Sequence, residues 1–331
     1  MLPKLLQCPK HHLTWRQMKQ WLQVDPLPRL GDRLGIEISV VRDDLYPFPG
    51  GGNKARKVAS VLAGAKAQPI DALVTVGGVR SNQARVVALA AARRGWPCTL
   101  VLHGDGAAAR YARGNLRLAQ LSGARIVIVA PDEIEAAVKG AMNALRDAGR
   151  QPLEIPGGRF SATGALAFTA AVEQMAAASP ARLPDWILLA SGTGTTQAGI
   201  LAGVQKAGWT SRTIGISVSR PNPRGADAVA GGYRVLADRE NLPSSAEVEF
   251  HDDWVGGGYE AATEDVYAAI RFAAETEGLI LDPTYTGKAF HGLREMVASG
   301  DIAAGSSGIF WHTGGLLNLL ESDVMSPVAV P

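Results

Sequence analysis

The sequence predicts an α/β protein whose β-sheets are mostly parallel and flanked by helices. Apolar runs such as LVTV, TLVL, IVIV and ILLA recur along the chain, and helical segments separate them. Strands that alternate with helices indicate βαβ units, and continuous apolar runs are typical of parallel strands buried on both faces. With 331 residues, of which 47% are hydrophobic, the chain is long enough for one or two domains.

The order of the elements follows from these runs and from helical spacing of apolar residues. We expect residues 1–30 to be irregular, and the β-branched run IEISVVR to form the first strand. The predicted strands are 36–42, 72–76, 98–102, 125–129, 186–190, 213–218 and 308–311. The predicted helices are 55–67, 81–94, 110–121, 132–146, 162–178, 197–206, 260–277 and 288–299. Residues 220–258 are rich in proline, glycine and charge, which predicts long connections.

Composition argues against several classes of protein. The net charge is only +2, from 33 basic and 31 acidic residues without a long block of one sign, so we expect no nucleic-acid partner. Two cysteines, Cys8 and Cys98, do not make a disulfide framework and indicate a reducing compartment. We expect no metal at Cys8, His11 and His12. Without a long apolar run, we expect no signal peptide and no membrane span, and hence a cytoplasmic protein.

The stretch GGGNKARK, residues 50–57, is the first candidate site. Three glycines allow the backbone to turn sharply and to approach a flat ligand closely. Val58, Val61 and Leu62 follow at helical spacing, so Lys54 lies where a loop meets a helix. A lysine held in this way can form a Schiff base with an aldehyde cofactor such as pyridoxal phosphate. The alternative is a surface lysine after a flexible loop.

A second candidate, GGVRSNQ at residues 77–83, joins a predicted strand to a predicted helix. Free backbone N–H groups and the helix dipole favour an anion at such a helix start. Ser81 alone is typical of a plain helix cap, but a cap does not require Asn82 and Gln83 as well. The segment therefore predicts a cradle for a carboxylate.

A third candidate, SGTGTT at residues 191–196, lies between a predicted strand and a predicted helix. Glycines expose backbone amides, threonines add hydroxyl groups, and the helix dipole attracts negative charge, so the segment favours a phosphate. The alternative is a structural glycine turn. The pattern is neither GxxxxGK[ST] nor GxGxxG, so neither a nucleoside triphosphate nor a dinucleotide is indicated.

Three further motifs are GGGY at residues 256–259, DPTYTGK at 282–288 and HTGG at 312–315. His312 by itself is more typical of a hydrogen-bonded core histidine than of a catalyst. Together with GGNKARK, GGVRSNQAR and the glycine–threonine loop, these motifs resemble the fold type II pyridoxal-phosphate enzymes of the tryptophan synthase β superfamily. Within it, they are most similar to the D-cysteine desulfhydrase and 1-aminocyclopropane-1-carboxylate deaminase group. The resemblance extends from Arg42 to Gly315.

The resemblance implies pyridoxal 5'-phosphate as the cofactor, a small amino acid as the substrate and no metal. Lys54 would carry the cofactor, and Ser81, Tyr259 and Tyr285 would complete the catalytic set, with Ser81 as a candidate for proton transfer. The substrate carboxylate would meet Ser81, Asn82 and Gln83, and Arg80 beside them would be a further substrate-binding residue. The remaining cofactor contacts would come from Asn53, Lys57, Asn82, Gly192, Thr193, Gly194, Thr195, Thr196, Thr286 and Thr313.

The resemblance also implies two domains, each with a mostly parallel sheet flanked by helices, and a homodimer. Residues 53–160 would form the smaller domain, and residues 1–52 and 161–331 the larger one, with the cofactor in the cleft between them. The family commonly has glutamine at the position of Arg80. This arginine could bind a second anion or point to solvent.

The residue after Tyr285 bears on the reaction. Enzymes of the group that open the cyclopropane ring usually carry glutamate where this chain has Thr286. A neutral hydroxyl near the pyridine nitrogen makes a weaker electron sink, which suits β-elimination. The prediction is β-elimination from a small β-substituted amino acid, D-cysteine first, giving pyruvate and ammonia. The alternatives are 1-aminocyclopropane-1-carboxylate deaminase, L-cysteate sulfo-lyase and a non-catalytic protein that binds a phosphate ligand.

Overall fold

The computed structural model describes residues 21–65, 69–106, 113–180 and 182–322. The alternation of strands and helices expected from the sequence is present, and the fold class is α/β. Numbered along the chain, the strands are β1 Val24–Pro26, β2 Glu37–Arg42, β3 Ala72–Gly78, β4 Cys98–His103, β5 Arg125–Ile128, β6 Pro152–Ile155, β7 Trp186–Ser191, β8 Arg212–Ser217, β9 Glu249–His251 and β10 Ser307–His312.

The helices of the described residues cover both sheets and connect the strands. They are α1 Pro28–Leu34, α2 Asn53–Gly64, α3 Asn82–Ala92, α4 Gly114–Leu121, α5 Ile134–Asp147, α6 Ala162–Ala177, α7 Thr195–Lys206, α8 Arg224–Glu240, α9 Glu264–Glu277, α10 Thr286–Ser299 and α11 Leu316–Leu320. No helix of the described ranges combines the length and the apolar character that crossing a bilayer requires.

The strands form two sheets. The larger has the order β1-β2-β10-β7-β8-β9, and only the β1–β2 pairing is antiparallel. The smaller has the order β5-β4-β3-β6 and is wholly parallel. The smaller sheet uses only residues between 72 and 155, and the larger uses strands from both sides of that segment. The domain boundaries at residues 52/53 and 160/161 stay a prediction.

The larger sheet is buried on both faces, as the continuous apolar runs predict. Leu188 of β7 packs with α9 and α10 on one face. Its neighbours Ile187 and Leu189 pack with α6 and α7 on the other. Successive side chains of a strand point to opposite faces, so an unbroken apolar strand requires a helical layer on each side. The smaller sheet is covered in the same way, with α2 and α3 on one face and α5 on the other.

Two expectations about connections were wrong. Residues 21–30 are not irregular throughout, because β1 pairs with β2 and α1 begins at Pro28. Residues 220–258 contain the 17-residue helix α8 as well as β9. Its buried positions Val229, Tyr233 and Leu236 keep helical spacing, but surrounding charged residues and three glycines obscure the pattern.

The bounds of helix α2 differ from the predicted bounds. Helix α2 begins two residues before its predicted start, so Lys54 lies within its first turn rather than before it. Its predicted last residues, 66 and 67, fall outside the described residues, as do Cys8, His11 and His12.

Candidate active site

A cavity of about 950 Å³ lies where the strands of both sheets end. Its wall includes residues that directly follow β3 and β4 of the smaller sheet and β7, β8 and β10 of the larger. The carboxyl ends of parallel strands are where ligands bind in α/β proteins. The predicted site residues that line it are Asn53, Lys54, Lys57, Arg80, Ser81, Asn82, Gln83, Gly192, Thr193, Gly194, Thr195, Thr196, Tyr259, Tyr285 and Thr313. Thr286 is the one predicted site residue that is not part of this wall.

Lys54 presents its amine to this cavity from the first turn of α2. Among the described residues, its Nζ has no hydrogen-bonding partner and no ion pair. Burial lowers the pKa of this amine to about 8, because a charged ammonium is poorly solvated there. The neutral, nucleophilic form of Lys54 is therefore far more accessible near neutral pH than that of a solvated lysine.

Lys57 lies one turn further along α2. Its side chain is held by residues next to the smaller sheet. Its Nζ donates to Gln83 Oε1 at 2.8 Å and to the carbonyl oxygen of Pro156 at 3.3 Å. Burial, and secondly the charge of Lys54, lower the pKa of Lys57 to about 7. The two amines thus create a region of positive potential that an anion would relieve.

Gln83 is wholly engaged within the protein. Besides accepting from Lys57, its Nε2 donates to the carbonyl of Pro156 at 2.8 Å and to Thr75 Oγ1 at 3.2 Å. The side chain is 4% exposed. Its geometry is that of a residue that orients Lys57, and its expected contact with the substrate carboxylate stays a prediction.

The glycine–threonine loop forms the part of the cavity wall that leads into α7. Gly194 has φ of +80° and precedes α7, whose first residue is Thr195. A Cβ atom on Gly194 would lie 3.1 Å from the carbonyl oxygen of Ala228, so both the backbone angle and the close contact require glycine. The Thr193 and Thr195 hydroxyls are 3.2 Å apart, and Asn53 Nδ2 donates to Thr196 Oγ1 at 3.2 Å. This last bond joins the loop to the helix that carries Lys54.

The loop before Lys54 is held by Arg85, a residue to which the sequence analysis assigned no role. Its guanidinium donates to the carbonyl oxygens of Gly50 and Gly51, each at 2.9 Å. Arg85 is 1% exposed, and no acidic group pairs with it among the described residues. All three glycines have positive φ. An arginine in the otherwise apolar helix RVVALAAA was the signal that could have identified it.

The segment predicted to hold a carboxylate lies at the start of α3. Ser81 is the cap residue, and its Oγ accepts a hydrogen bond from the Ala84 N–H at 3.2 Å. Its hydroxyl proton therefore remains available to an acceptor in the cavity. Asn82 Nδ2 donates to Asn318 Oδ1 at 2.7 Å, which also accepts from Asn115 at 3.3 Å. Asn318 was not predicted as a site residue, although it is a lone polar residue within LLNLL.

Two tyrosines face each other on the cavity wall. The hydroxyl groups of Tyr259 and Tyr285 are hydrogen-bonded, and their rings meet edge to face with centroids 5.8 Å apart. Burial raises the pKa of both tyrosines. Each hydroxyl is therefore protonated at neutral pH, and the pair can offer one proton to a group in the cavity.

Thr286 points away from the cavity into the core. Its backbone N–H and its hydroxyl both donate to Asp282 Oδ1, at 2.9 and 2.8 Å. The same carboxylate accepts from the backbone N–H groups of Thr284 and Tyr285. Burial raises the pKa of Asp282 to about 6. Asp282 thus fixes the turn that presents Tyr285, and contact between Thr286 and the cofactor stays a prediction.

His312 has the core role that its isolated position suggested. Its Nδ1 accepts from the Gly314 N–H at 3.2 Å, which places the proton on Nε2, and Nε2 donates to the carbonyl oxygen of Ile280 at 2.8 Å. Burial lowers its pKa, so the ring is neutral. The His312 ring shapes the turn that contains Thr313. The carbonyl oxygen of Thr313 accepts a hydrogen bond from the Asn53 N–H at 2.9 Å.

Arg80 is at the rim of the cavity and its charge is neutralised. Its guanidinium lies 3.3 Å from Glu260 and 3.8 Å from Glu321. With 49% of its side chain exposed, it is partly solvated as well. A ligand anion would compete with both carboxylates for this arginine.

Comparisons with known proteins agree with this geometry. Residues 21–314 match the family described as pyridoxal-phosphate dependent enzyme. The chain is 33% identical to a 1-aminocyclopropane-1-carboxylate deaminase of Burkholderia vietnamiensis, over 88% of this chain and 91% of that one. It is also 33% identical to a D-cysteine desulfhydrase of Klebsiella pneumoniae, over 87% and 90%.

A solved structure described as an ACC deaminase homologue superposes with a TM-score of 0.82 and 31% identity, covering 90% of each chain. The fold is therefore that of the fold type II enzymes. The motifs at the strand ends and the overall architecture agree with these matches, and the chain belongs to the family of pyridoxal-phosphate dependent enzymes.

Proposed function

We propose that this enzyme catalyses β-elimination from a small β-substituted amino acid, with D-cysteine as the first candidate, and releases pyruvate and ammonia. The observation that carries the proposal is the state of the Lys54 amine. Its amine lines the cavity without an internal partner, and burial lowers its pKa to about 8. An amine in this state is suited both to holding an aldehyde cofactor and to exchanging a proton with a substrate.

The wall of the cavity fits pyridoxal phosphate. Lys57 and the loop of Gly192, Thr193, Gly194, Thr195 and Thr196 would hold the phosphate, because they supply a cation, hydroxyl groups and a helix N-terminus. Asn53, Asn82 and Thr313 would contact the ring. When bound, the cofactor supplies an electron sink that accommodates the charge left on Cα after its proton leaves.

The substrate would be held by the cradle at the start of α3. The Ser81 hydroxyl can donate to the substrate carboxylate while its oxygen caps the helix. Lys54 Nζ is the group of lowered pKa that would accept the α-proton. The paired Tyr259 and Tyr285 hydroxyls would donate a proton to a leaving thiolate, since both hydroxyls are protonated at neutral pH.

Thr286 favours elimination over ring opening. The position after Tyr285 carries no carboxylate, and the Thr286 hydroxyl is already bonded to Asp282. The neutral hydroxyl of Thr313, which lines the cavity, would then face the pyridine nitrogen, so the electron sink is weaker and prompt loss of a β-substituent is the suited reaction. A relative named D-cysteine desulfhydrase supports this choice, and one named 1-aminocyclopropane-1-carboxylate deaminase supports ring opening as the second candidate.

Arg80 favours a neutral substrate side chain over an acidic one. Because Glu260 and Glu321 already neutralise it, a sulfonate such as that of L-cysteate gains little there. A non-catalytic protein that binds a phosphate ligand would use the same loop, but it would have no need of the Lys54 amine.

The test is product release by the purified holoenzyme from D-cysteine, L-cysteine, L-cysteate, D-serine and 1-aminocyclopropane-1-carboxylate. We expect pyruvate, with D-cysteine giving the largest kcat/KM. Release of 2-oxobutyrate from the cyclopropane substrate, with no pyruvate from any β-substituted amino acid, would contradict the proposal. A colourless protein that turns over none of them would favour the binding protein.

Assembly, domain division and location are further parts of the proposal. We propose a homodimer, with residues 53–160 as the smaller domain, acting in the cytoplasm. The resemblance to the fold type II enzymes implies the dimer, the two-sheet topology supports the domain division, and the scarcity of cysteine supports the location. Light scattering of the holoenzyme would test the dimer, and a monomeric mass at micromolar concentration would contradict it.

A further inference from the structure

Lys288, in the first turn of α10, has a buried ammonium group surrounded by backbone carbonyl oxygens. Its Nζ lies 2.5 Å from the oxygen of Gly258, 2.7 Å from that of Val255, and 3.4 Å from those of Val218 and Tyr259. The side chain is 0% exposed. Four carbonyls around one cation resemble the environment of a bound monovalent ion more than that of an ordinary core lysine.

Nothing else in the described residues explains this charge. Lys288 does not line the cavity, and no carboxylate lies within ion-pair distance of it among those residues. Burial lowers the pKa of Lys288 to about 8, and the charge of Asp282, which is farther away, opposes this effect only in part. A buried ammonium without a paired carboxylate is costly, so the carbonyls must supply the compensation.

The four carbonyls belong to two segments that line the cavity. Val255, Gly258 and Tyr259 are part of the connection between β9 and α9, and Val218 directly follows β8. The connection contains little regular structure beyond an isolated bridge between Gly258 and Ala261. Lys288 itself is three residues from Tyr285, so its ammonium joins the Tyr259 connection to the turn that carries the second tyrosine.

We propose that Lys288 is a positioning residue whose ammonium acts as a built-in cation, holding residues 255–259 so that the Tyr259 hydroxyl meets that of Tyr285. Three ammonium protons directed at carbonyls fix the path of this segment. Without the cation, the carbonyls would turn toward solvent, and Tyr259, which is 46% exposed, would leave its partner. Proton delivery to the leaving group, which rests on the proposed function, would then weaken.

The variant Lys288→Met distinguishes the effect of the ammonium group from that of the packed apolar stem. Methionine keeps most of the apolar stem and ends one atom short, which leaves a space near the size of an ammonium ion among the carbonyls. We expect hydrogen exchange in the holoenzyme to accelerate at least about tenfold at Val255 and Ala261, whose backbone N–H groups donate to Asp252 and Gly258, since the segment opens when its carbonyls lose their donor. Exchange in α7 should stay unchanged.

Ammonium chloride should reverse this effect, and tetramethylammonium chloride at equal ionic strength should not, because its ion is too large for the space. We expect kcat/KM to fall at least about tenfold in the variant and to recover partly with ammonium. The matched control is Lys206→Met, which removes a surface lysine paired with Glu173 and Glu240. It should leave both measurements at the wild-type value.

The exchange measurement does not depend on the substrate, so it tests Lys288 even if the proposed reaction is wrong. Unchanged exchange at Val255 and Ala261 would overturn the inference. So would a rise spread over the whole chain that ammonium does not reverse, because that result indicates a merely structural core lysine. If Lys288→Met does not fold, Lys288→Leu, which also lacks a donor and leaves the same space, is measured in its place and judged by the same outcomes.

Discussion

Replacing Lys57 by methionine should stabilise the apoenzyme near pH 7 while weakening cofactor binding. Burial, with the charge of Lys54, lowers the pKa of Lys57 from 10.5 to about 7. In the unfolded chain the same amine regains its ordinary pKa. Between these two values the unfolded state binds more protons than the folded state, so stability increases as the pH rises.

The magnitude follows from this difference. At pH 7 the lowered pKa corresponds to a cost of about 4 kcal/mol in the free energy of unfolding, and at pH 10 the cost falls below about 1 kcal/mol. Methionine also removes the hydrogen bond to Gln83, which is worth about 1 kcal/mol. The net gain at pH 7 is then on the order of 2–3 kcal/mol.

The assay is unfolding of the apoenzyme at pH 7 and pH 10, with Lys206→Met as the control. The advantage of Lys57→Met should be largest at pH 7 and nearly vanish at pH 10. In parallel, pyridoxal phosphate should bind the variant about tenfold to a hundredfold more weakly, since the charged hydrogen bond proposed between Lys57 and the phosphate would be lost. A Lys57→Met protein that is less stable than wild type by the same amount at both pH values would refute the reasoning.

Three other substitutions test the site. Lys54→Ala should abolish fixation of the cofactor by borohydride, and mass spectrometry of the reduced wild-type protein should find the cofactor on the peptide that contains Lys54; a label on Lys57 or Lys288 would contradict this assignment. Gly194→Asp should lose the cofactor, measured by its absorbance, because φ is +80° and a Cβ would lie 3.1 Å from a carbonyl oxygen; normal occupancy would argue against the phosphate loop. Arg80→Gln should leave kcat/KM for D-cysteine within about threefold, since Arg80 is a half-exposed rim residue in an ion pair; a large loss would make Arg80 a substrate ligand.

Sequence alone was sufficient for the fold and for most of the cavity wall. Parallel strands bury both faces, so they appear as unbroken apolar runs such as that of β7, and a glycine-rich segment after such a run lies at the carboxyl end of the sheet. Because these ends converge, motifs as distant as Asn53 and Thr313 meet, and they are joined by a hydrogen bond of 2.9 Å. Helix α8 was missed because glycine and charge obscured its periodicity.

Only the tertiary structure decided what each polar side chain contacts. Gln83 holds Lys57, Arg80 is neutralised by Glu260 and Glu321, and Lys288 is bound by carbonyls of another segment. Local periodicity reports which face of an element is buried, and it carries no information about a partner 100 or more residues away. Those partners set the charge, the pKa and the free hydrogen-bonding capacity of each group, and these quantities determine the chemistry of the site.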